Sequence, residues 1–316
     1  MAKAQILMVP NKLSIKTANS FLKTMKEMKS IILSSDELIF DFRNTKYISP
    51  TGAVLLMCIV DSLNENGVRS SARTGRSGLL YNLLSTLGLL NVSENIDEVF
   101  QKIMAKYTVQ LERCMSYEDC LKVQKKIMAN LSETTDCVAT TKASIDYMLD
   151  EIYENAGTHG YMKYEKSTSY PLPVYMCAQS YKTHFEVSIY DRGQGIHNSL
   201  MQNKDNLGFN AKESIEASIE KAITGHPRKS PGFGLYSAAQ FVRGNIGGEL
   251  HIMSSGRFLS VDADGILNQK GYLVAGTMVT AKFNLLSETP FSETLEGDFS
   301  LENQLDLITD LINNYE

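Results

Sequence analysis

Long apolar runs are missing from this sequence. The longest, Ala53 to Val60, covers eight residues, against the roughly 20 that a bilayer-crossing helix needs. No membrane association is therefore expected. A signal-peptide core is missing too, because the apolar start Ile6-Leu-Met-Val9 is broken by Pro10. Basic excess is absent. Lys and Arg number 31 against 36 Asp and Glu, a net charge of −5, and adjacent basic residues never exceed pairs. That balance argues against the basic stripe of a nucleic-acid binder. The five cysteines (Cys58, Cys114, Cys120, Cys137 and Cys177) make no C-x-x-C pair. Most sit in apolar or helical contexts, which reads as buried free thiols in a reducing compartment. The expected location is cytoplasmic.

What is present suffices for two ordinary globular domains. The 316 residues are 43% hydrophobic and 21% charged, within the usual range. Residues 4–9 and Leu38–Phe42 read as strands, Ile15–Met28 and Ala53–Asn64 as helices, with Val68–Ser71 a further strand and Leu79–Leu87 a further helix. Ser49 suits the cap of the second helix and Pro50 its first turn. This alternation predicts an α/β layer domain over residues 1–105. A helical connection and the start of a second domain are expected over 106–140. Helices at Glu118–Leu131 and Thr141–Thr158 are followed by strands at Val174–Ser180, His184–Tyr190, Gly248–Met253 and Gly276–Phe283. That order predicts an α+β sandwich over 141–285. Residues 286–316 form an acidic tail with one helix at Leu301–Ile312.

Three short motifs carry the chemistry. In Glu151-Ile-Tyr-Glu-Asn155-Ala-Gly-Thr-His159-Gly160, the residues Glu151, Asn155 and His159 are spaced by four and share one side of a helix. A carboxylate there can accept a proton, and an amide oxygen suits Mg²⁺. A solvated polar edge explains the same spacing. In Asp191-Arg-Gly193-Gln-Gly195, an acid follows a strand and enters a turn. It can accept a hydrogen bond from an amino group, while the glycines let the backbone approach a flat ligand. A plain tight turn is the simpler reading of this motif alone. In Gly232-Phe233-Gly234-Leu235, glycines open a helix and expose amides suited to phosphate. The residues between, His197 to Ser230, read as a long mobile connection of the lid type with a helix at Lys212–Ile223. Gly276-Thr277 on a late strand completes the set.

In this order the motifs resemble the GHKL superfamily, which includes gyrase, heat-shock chaperones and histidine kinases on the Bergerat nucleotide fold. The resemblance spans about Tyr117 to Phe283. Glu151 through Tyr161 is most similar to the anti-sigma-factor serine kinases. The resemblance implies ATP and Mg²⁺ as ligands, Glu151 as the catalytic residue that activates a hydroxyl, and Asn155 as the Mg²⁺ ligand. It implies Asp191 as the adenine acceptor. The nucleotide-binding set is Asn155, His159, Asp191, Gly193, Gly195, Gly232, Phe233, Gly234, Leu235 and Thr277. Gly157 stands where those kinases carry an apolar residue, so the helix is expected to loosen or end early there. The segments Met162–Pro173 and His197–Pro231 depart from a minimal kinase of this type.

The first hundred residues resemble a STAS domain, the fold of anti-sigma-factor antagonists. The resemblance rests on strand Ile39–Phe42, the loop Asn44–Gly52, the apolar helix after it and Leu84–Leu90. By this resemblance Thr51 takes the place of the phosphoacceptor, although a plain helix start explains the same residues. Three functions stay open: transfer of the γ-phosphate to a Ser/Thr of a STAS-type partner or of the chain's own first domain, an ATP-driven switch that can include homodimerisation, and a nucleotide sensor without chemistry. A histidine kinase fits less well, because no histidine precedes His159.

Overall fold

In the computed structural model, the described residues are 3–73, 108–158, 169–225, 234–273 and 275–289. The chain is mixed α/β with one large antiparallel sheet. Its first part contains β1 (Ala4–Met8), β2 (Lys12–Leu13), α1 (Ile15–Glu27), α2 (Lys29–Leu33), β3 (Glu37–Asp41), β4 (Tyr47–Ile48), α3 (Pro50–Glu65) and β5 (Arg69–Arg73). Strands β1, β3 and β5 form a parallel sheet with β3 in the centre. The expected alternation of strands and helices is present, and α3 does begin with Ser49 as its cap residue and Pro50 in its first turn. The helix expected at Leu79–Leu87 lies outside the described residues.

The second part contains β6 (Thr108–Ser116), α4 (Tyr117–Thr134), α5 (Ala139–Thr158), β7 (Ser169–Ser180), β8 (His184–Asp191), α6 (Gly195–Leu200), α7 (Ala211–Ala217), α8 (Gly234–Gly244), β9 (Glu249–Ser254), β10 (Arg257–Asp262), β11 (Gly265–Lys270) and β12 (Thr277–Asn284). Its seven strands run in the order β11-β10-β9-β12-β8-β7-β6. The stretch expected to open with a helical connection opens with β6, which pairs with β7 at one edge of the sheet. The start of α4 follows at once, fixed by the Ser116 hydroxyl, which accepts from the Asp119 amide at 3.2 Å.

Successive strand residues point to opposite faces, and both faces of this sheet are covered. On one, Phe185, Val187 and Ile189 of β8 join Val279, Ala281 and Phe283 of β12 against α4, α5 and α8. On the other, Tyr175, Cys177, Tyr190, Met253 and Met278 belong to one continuous core with α3 and with Leu38 and Phe40 of the parallel sheet. Helix α3 is buried from Pro50 through Val60, because one side packs on its own sheet and the other on β7 and β8. A helix that is apolar all round is expected to be buried all round. The two parts thus share a core. Asn19 of α1 adds a polar tie: its side chain donates to the Lys270 carbonyl at 2.9 Å and accepts from the Tyr272 amide at 3.0 Å.

The cysteine expectation holds in its simplest form. All five are free, with Cys58, Cys114, Cys120 and Cys177 buried. No helix among the described residues is long and apolar enough to cross a membrane.

Near the edge of the shared core, the Glu249 carboxylate meets His251 Nε2 at 3.1 Å and accepts from Lys282 Nζ at 2.9 Å. The histidine contact above all holds the Glu249 carboxyl down to about 2. A lowered carboxyl contributes stability above its unfolded value, near 4.5, and loses it as pH falls towards 2. Denaturant melts of Glu249→Gln should therefore show a stability deficit at pH 6 that shrinks steadily between pH 4.5 and 2.

Candidate nucleotide site

Helix α5 supplies the first wall. Its apolar stripe, Ile145, Met148, Leu149, Ile152 and Ala156, is buried in the core. That burial fixes the rotation of the helix and sets Glu151 and Asn155 on the neighbouring edge. Tyr147, one turn earlier, is hydrogen-bonded to the Glu151 carboxylate. The helix continues through Gly157 to Thr158, the last described residue of this stretch.

The start of α8 packs directly on this edge. A Cβ on Gly234 would lie 2.6 Å from Asn155 Nδ2 and 2.9 Å from Glu151 Oε2. A side chain there would have to displace the ends of the Asn155 and Glu151 side chains, so glycine leaves those two groups in place. The contact joins positions nearly eighty residues apart in the chain.

The end of β8 supplies the floor. Asp191 is 7% exposed, and its Oδ1 accepts from the Gly193 amide at 2.8 Å. Burial pushes its carboxyl up to about 7, against the backbone amides that favour the charged form. The turn is braced from β12, where Gly276 donates its amide to the Gly193 carbonyl at 3.0 Å. Ser254 accepts from the Ile196 amide at 2.9 Å and donates to the Gly276 carbonyl at 2.9 Å. Gly276 has φ +74, and a Cβ there would meet the Asp191 carbonyl at 1.9 Å.

These elements line a cleft that opens to solvent and is walled mostly by apolar side chains. Asn155, Asp191, Gly195, Gly234, Leu235 and Thr277 all line it. Gly193 contributes its amide to Asp191 from beside it, and Glu151 stands behind Gly234. His159, Gly232 and Phe233 lie outside the described residues. Among the described residues no group of three or more His, Cys, Asp or Glu could hold a metal ion. A cation beside Asn155 would draw its remaining ligands from phosphate and water oxygens, as Mg²⁺ commonly does.

Two sequence expectations need revision. The described part of the segment after His197 is folded rather than a long mobile connection. It holds α6, a 3₁₀ turn at Lys204–Asn206 and α7, which ends at Ala217, short of the expected Ile223. It brings Ser199, Leu200, Ser218 and Thr224 into the cavity wall. The spacing Ile196/Leu200 and Ile215/Ile219, all buried, is the amphipathic signal that could have found it. The second revision concerns Thr51, which is 0% exposed and is not brought to the cavity. It sits on the opposite face of the sheet, 3.1 Å from Thr280 Oγ1 and 3.4 Å from Glu186 Oε1.

No family model matches the sequence, and a search of curated proteins finds no match.

The buried carboxyl generates a prediction. A raised acid pKa means the folded state holds the proton more tightly, so stability falls as pH rises from about 3.8 towards 7. Asp191→Asn keeps the acceptor for the Gly193 amide and removes that ionisation. Chemical denaturation at pH 8 should find the variant more stable than the parent chain, with the gain disappearing near pH 4. Conversely, Gly276→Ala combines positive φ with a backbone clash and should cost on the order of 2–4 kcal/mol, read in the same assay.

Proposed function

We propose that this chain binds ATP with Mg²⁺ in the cavity and transfers the γ-phosphate to a Ser or Thr hydroxyl of a separate regulatory protein, with a STAS-type domain as the favoured partner. The observation that carries the reading is the convergence of Asn155, Asp191, Gly195, Gly234 and Thr277, from four separate stretches of chain, on one cavity. An antiparallel sheet with α4, α5 and α8 on its site-bearing face supports the Bergerat assignment. The parallel β1-β3-β5 sheet followed by the apolar α3 supports the STAS-like one. The compartment we propose is the cytoplasm.

In this reading the adenine amino group donates to the Asp191 carboxylate, and apolar residues such as Ile189, Ile196 and Val279 bury the base. The phosphates run towards the amides at the start of α8, where negative charge is favoured. Asn155 would hold Mg²⁺ through its side-chain oxygen, and the cation would offset phosphoryl charge. Glu151 accepts the proton of the attacking hydroxyl, and positioning does most of the remaining work, as in phosphoryl transfer generally. Thr51 is buried on the far face of the sheet, which supports a separate molecule over Thr51 as the acceptor. A second reading, an ATP-driven switch without transfer, is favoured by the core that the two lobes share, through which cavity occupancy could reach the N-terminal lobe.

Titration calorimetry with Mg-ATP tests binding. Asp191→Asn should weaken affinity by roughly ten- to a hundredfold, the cost of an unpaired buried polar group. Affinity for the parent chain should decline as pH drops below about 7, where Asp191 takes up its proton. Glu151→Ala should retain binding and lose turnover of γ-labelled ATP. Label on a partner Ser or Thr supports the kinase, release of free phosphate alone supports the switch, and no binding by the parent chain removes the reading altogether.

A further inference from the structure

The nucleotide turn is gripped from behind by the N-terminal lobe. Asp191 faces the cavity, while the next residue, Arg192, points to the other side of the sheet. There both terminal guanidinium nitrogens donate to Glu65 of α3, Nη1 to Oε1 at 2.6 Å and Nη2 to Oε2 at 2.6 Å. This is the bidentate geometry that fixes orientation as well as charge. Arg192 is mostly buried and Glu65 half-exposed. The arginine contact, more than anything else, lowers the Glu65 carboxyl from its ordinary value.

Two further contacts from the same helix reach the neighbouring strands. Asp61, one turn before Glu65, accepts from the Tyr175 hydroxyl at 2.6 Å and from Arg113 Nη2 at 2.6 Å. Cys58 meets Tyr190, whose hydroxyl donates to the Ala275 carbonyl at 3.0 Å. Tyr190 and Arg192 thus flank Asp191, and Ala275 precedes the glycine that closes the cavity turn. Tyr175 and Tyr190 also stack, with ring centroids 6.1 Å apart. Positions 58, 61 and 65 follow helical spacing, so one face of α3 holds the back of the strand ends whose front forms the base-binding floor.

From this we propose that Glu65 and Arg192 are positioning residues for the adenine end of the site, and that nucleotide occupancy and the seating of α3 are reciprocally coupled. The proposal rests on the nucleotide reading above. Its physical content is that Asp191 and Arg192 are adjacent on one backbone. A shift in either alters the aim of the other, and by linkage whatever loosens α3 lowers nucleotide affinity by the factor with which nucleotide tightens α3.

The location at the base end makes the coupling distinguishable from a general loss of structure. In the full-length chain, Glu65→Gln should weaken ATP, ADP and adenosine alike, by roughly five- to tenfold. Asn155→Ala should weaken only ligands that carry the β- and γ-phosphates with Mg²⁺. The charge-swapped pair Glu65→Arg with Arg192→Glu should recover most of the lost adenosine affinity. Hydrogen exchange on the parent chain provides a readout that needs no variant. Amides from Asp61 to Asn66 should gain protection when ATP is added, and this gain should be smaller in Glu65→Gln. Equal nucleotide affinity in parent and Glu65→Gln, or unchanged exchange across that stretch on saturation with ATP, overturns the coupling while leaving the site intact. Absence of binding to the parent chain overturns the site reading itself, and the coupling with it.

Discussion

Covering the second face of the seven-stranded sheet is the constraint on which the rest depends. An antiparallel sheet can leave one face to water, but this one presents Tyr175, Cys177, Tyr190, Met253 and Met278 there, all nearly inaccessible. Left open they would form a large apolar patch of the kind monomers avoid. Helix α3 answers that need, with buried aliphatic side chains that contribute about 1.5–3 kcal/mol each. Its contribution is shared between two sheets, so neither lobe is complete without it. The division into two sequence regions is therefore a division of topology more than of stability.

The cavity illustrates the opposite economy. Asp191 is held in a dry floor where its charge is disfavoured, and Gly276 holds a left-handed backbone hard against it. The buried acid costs stability, while the glycine adopts its backbone freely and leaves the acid little room to move. Desolvation of an acid in a cleft is a usual mark of a functional place. Gly234 leaves room beside it for the ends of the Glu151 and Asn155 side chains.

Much of this was legible in the residues. The spacing of Glu151 and Asn155 gave their common helix edge, and Asp191 at a strand end gave its turn. Gly195 was expected to let the backbone turn sharply, and it has a positive φ of 79; the tight packing at Gly276 was not read from the sequence. Strands β10 and β11 were harder to read, because Gly265–Lys270 is mostly exposed and mixes polar with apolar residues. Strand β6 escaped because its Gln, Glu and Arg interrupt the β-forming pattern. The role of α3 was unreadable for a different reason. An all-apolar helix announces that it is buried, yet nothing in its own sequence names the second surface it is buried against. For the same reason Thr51 looked like an accessible acceptor: a hydroxyl at a helix start reads the same whether it faces water or another lobe.

That hydroxyl sits in a seam with Thr280 and with Glu186, whose carboxyl burial raises above its ordinary value. A phosphate on Thr51 would be close to a dianion at neutral pH, lodged in a buried crevice beside the Glu186 carboxyl. A phosphate there would therefore oppose the seating of α3 on β8 and β12, so that any modification of Thr51 is tied to the contact between the two parts.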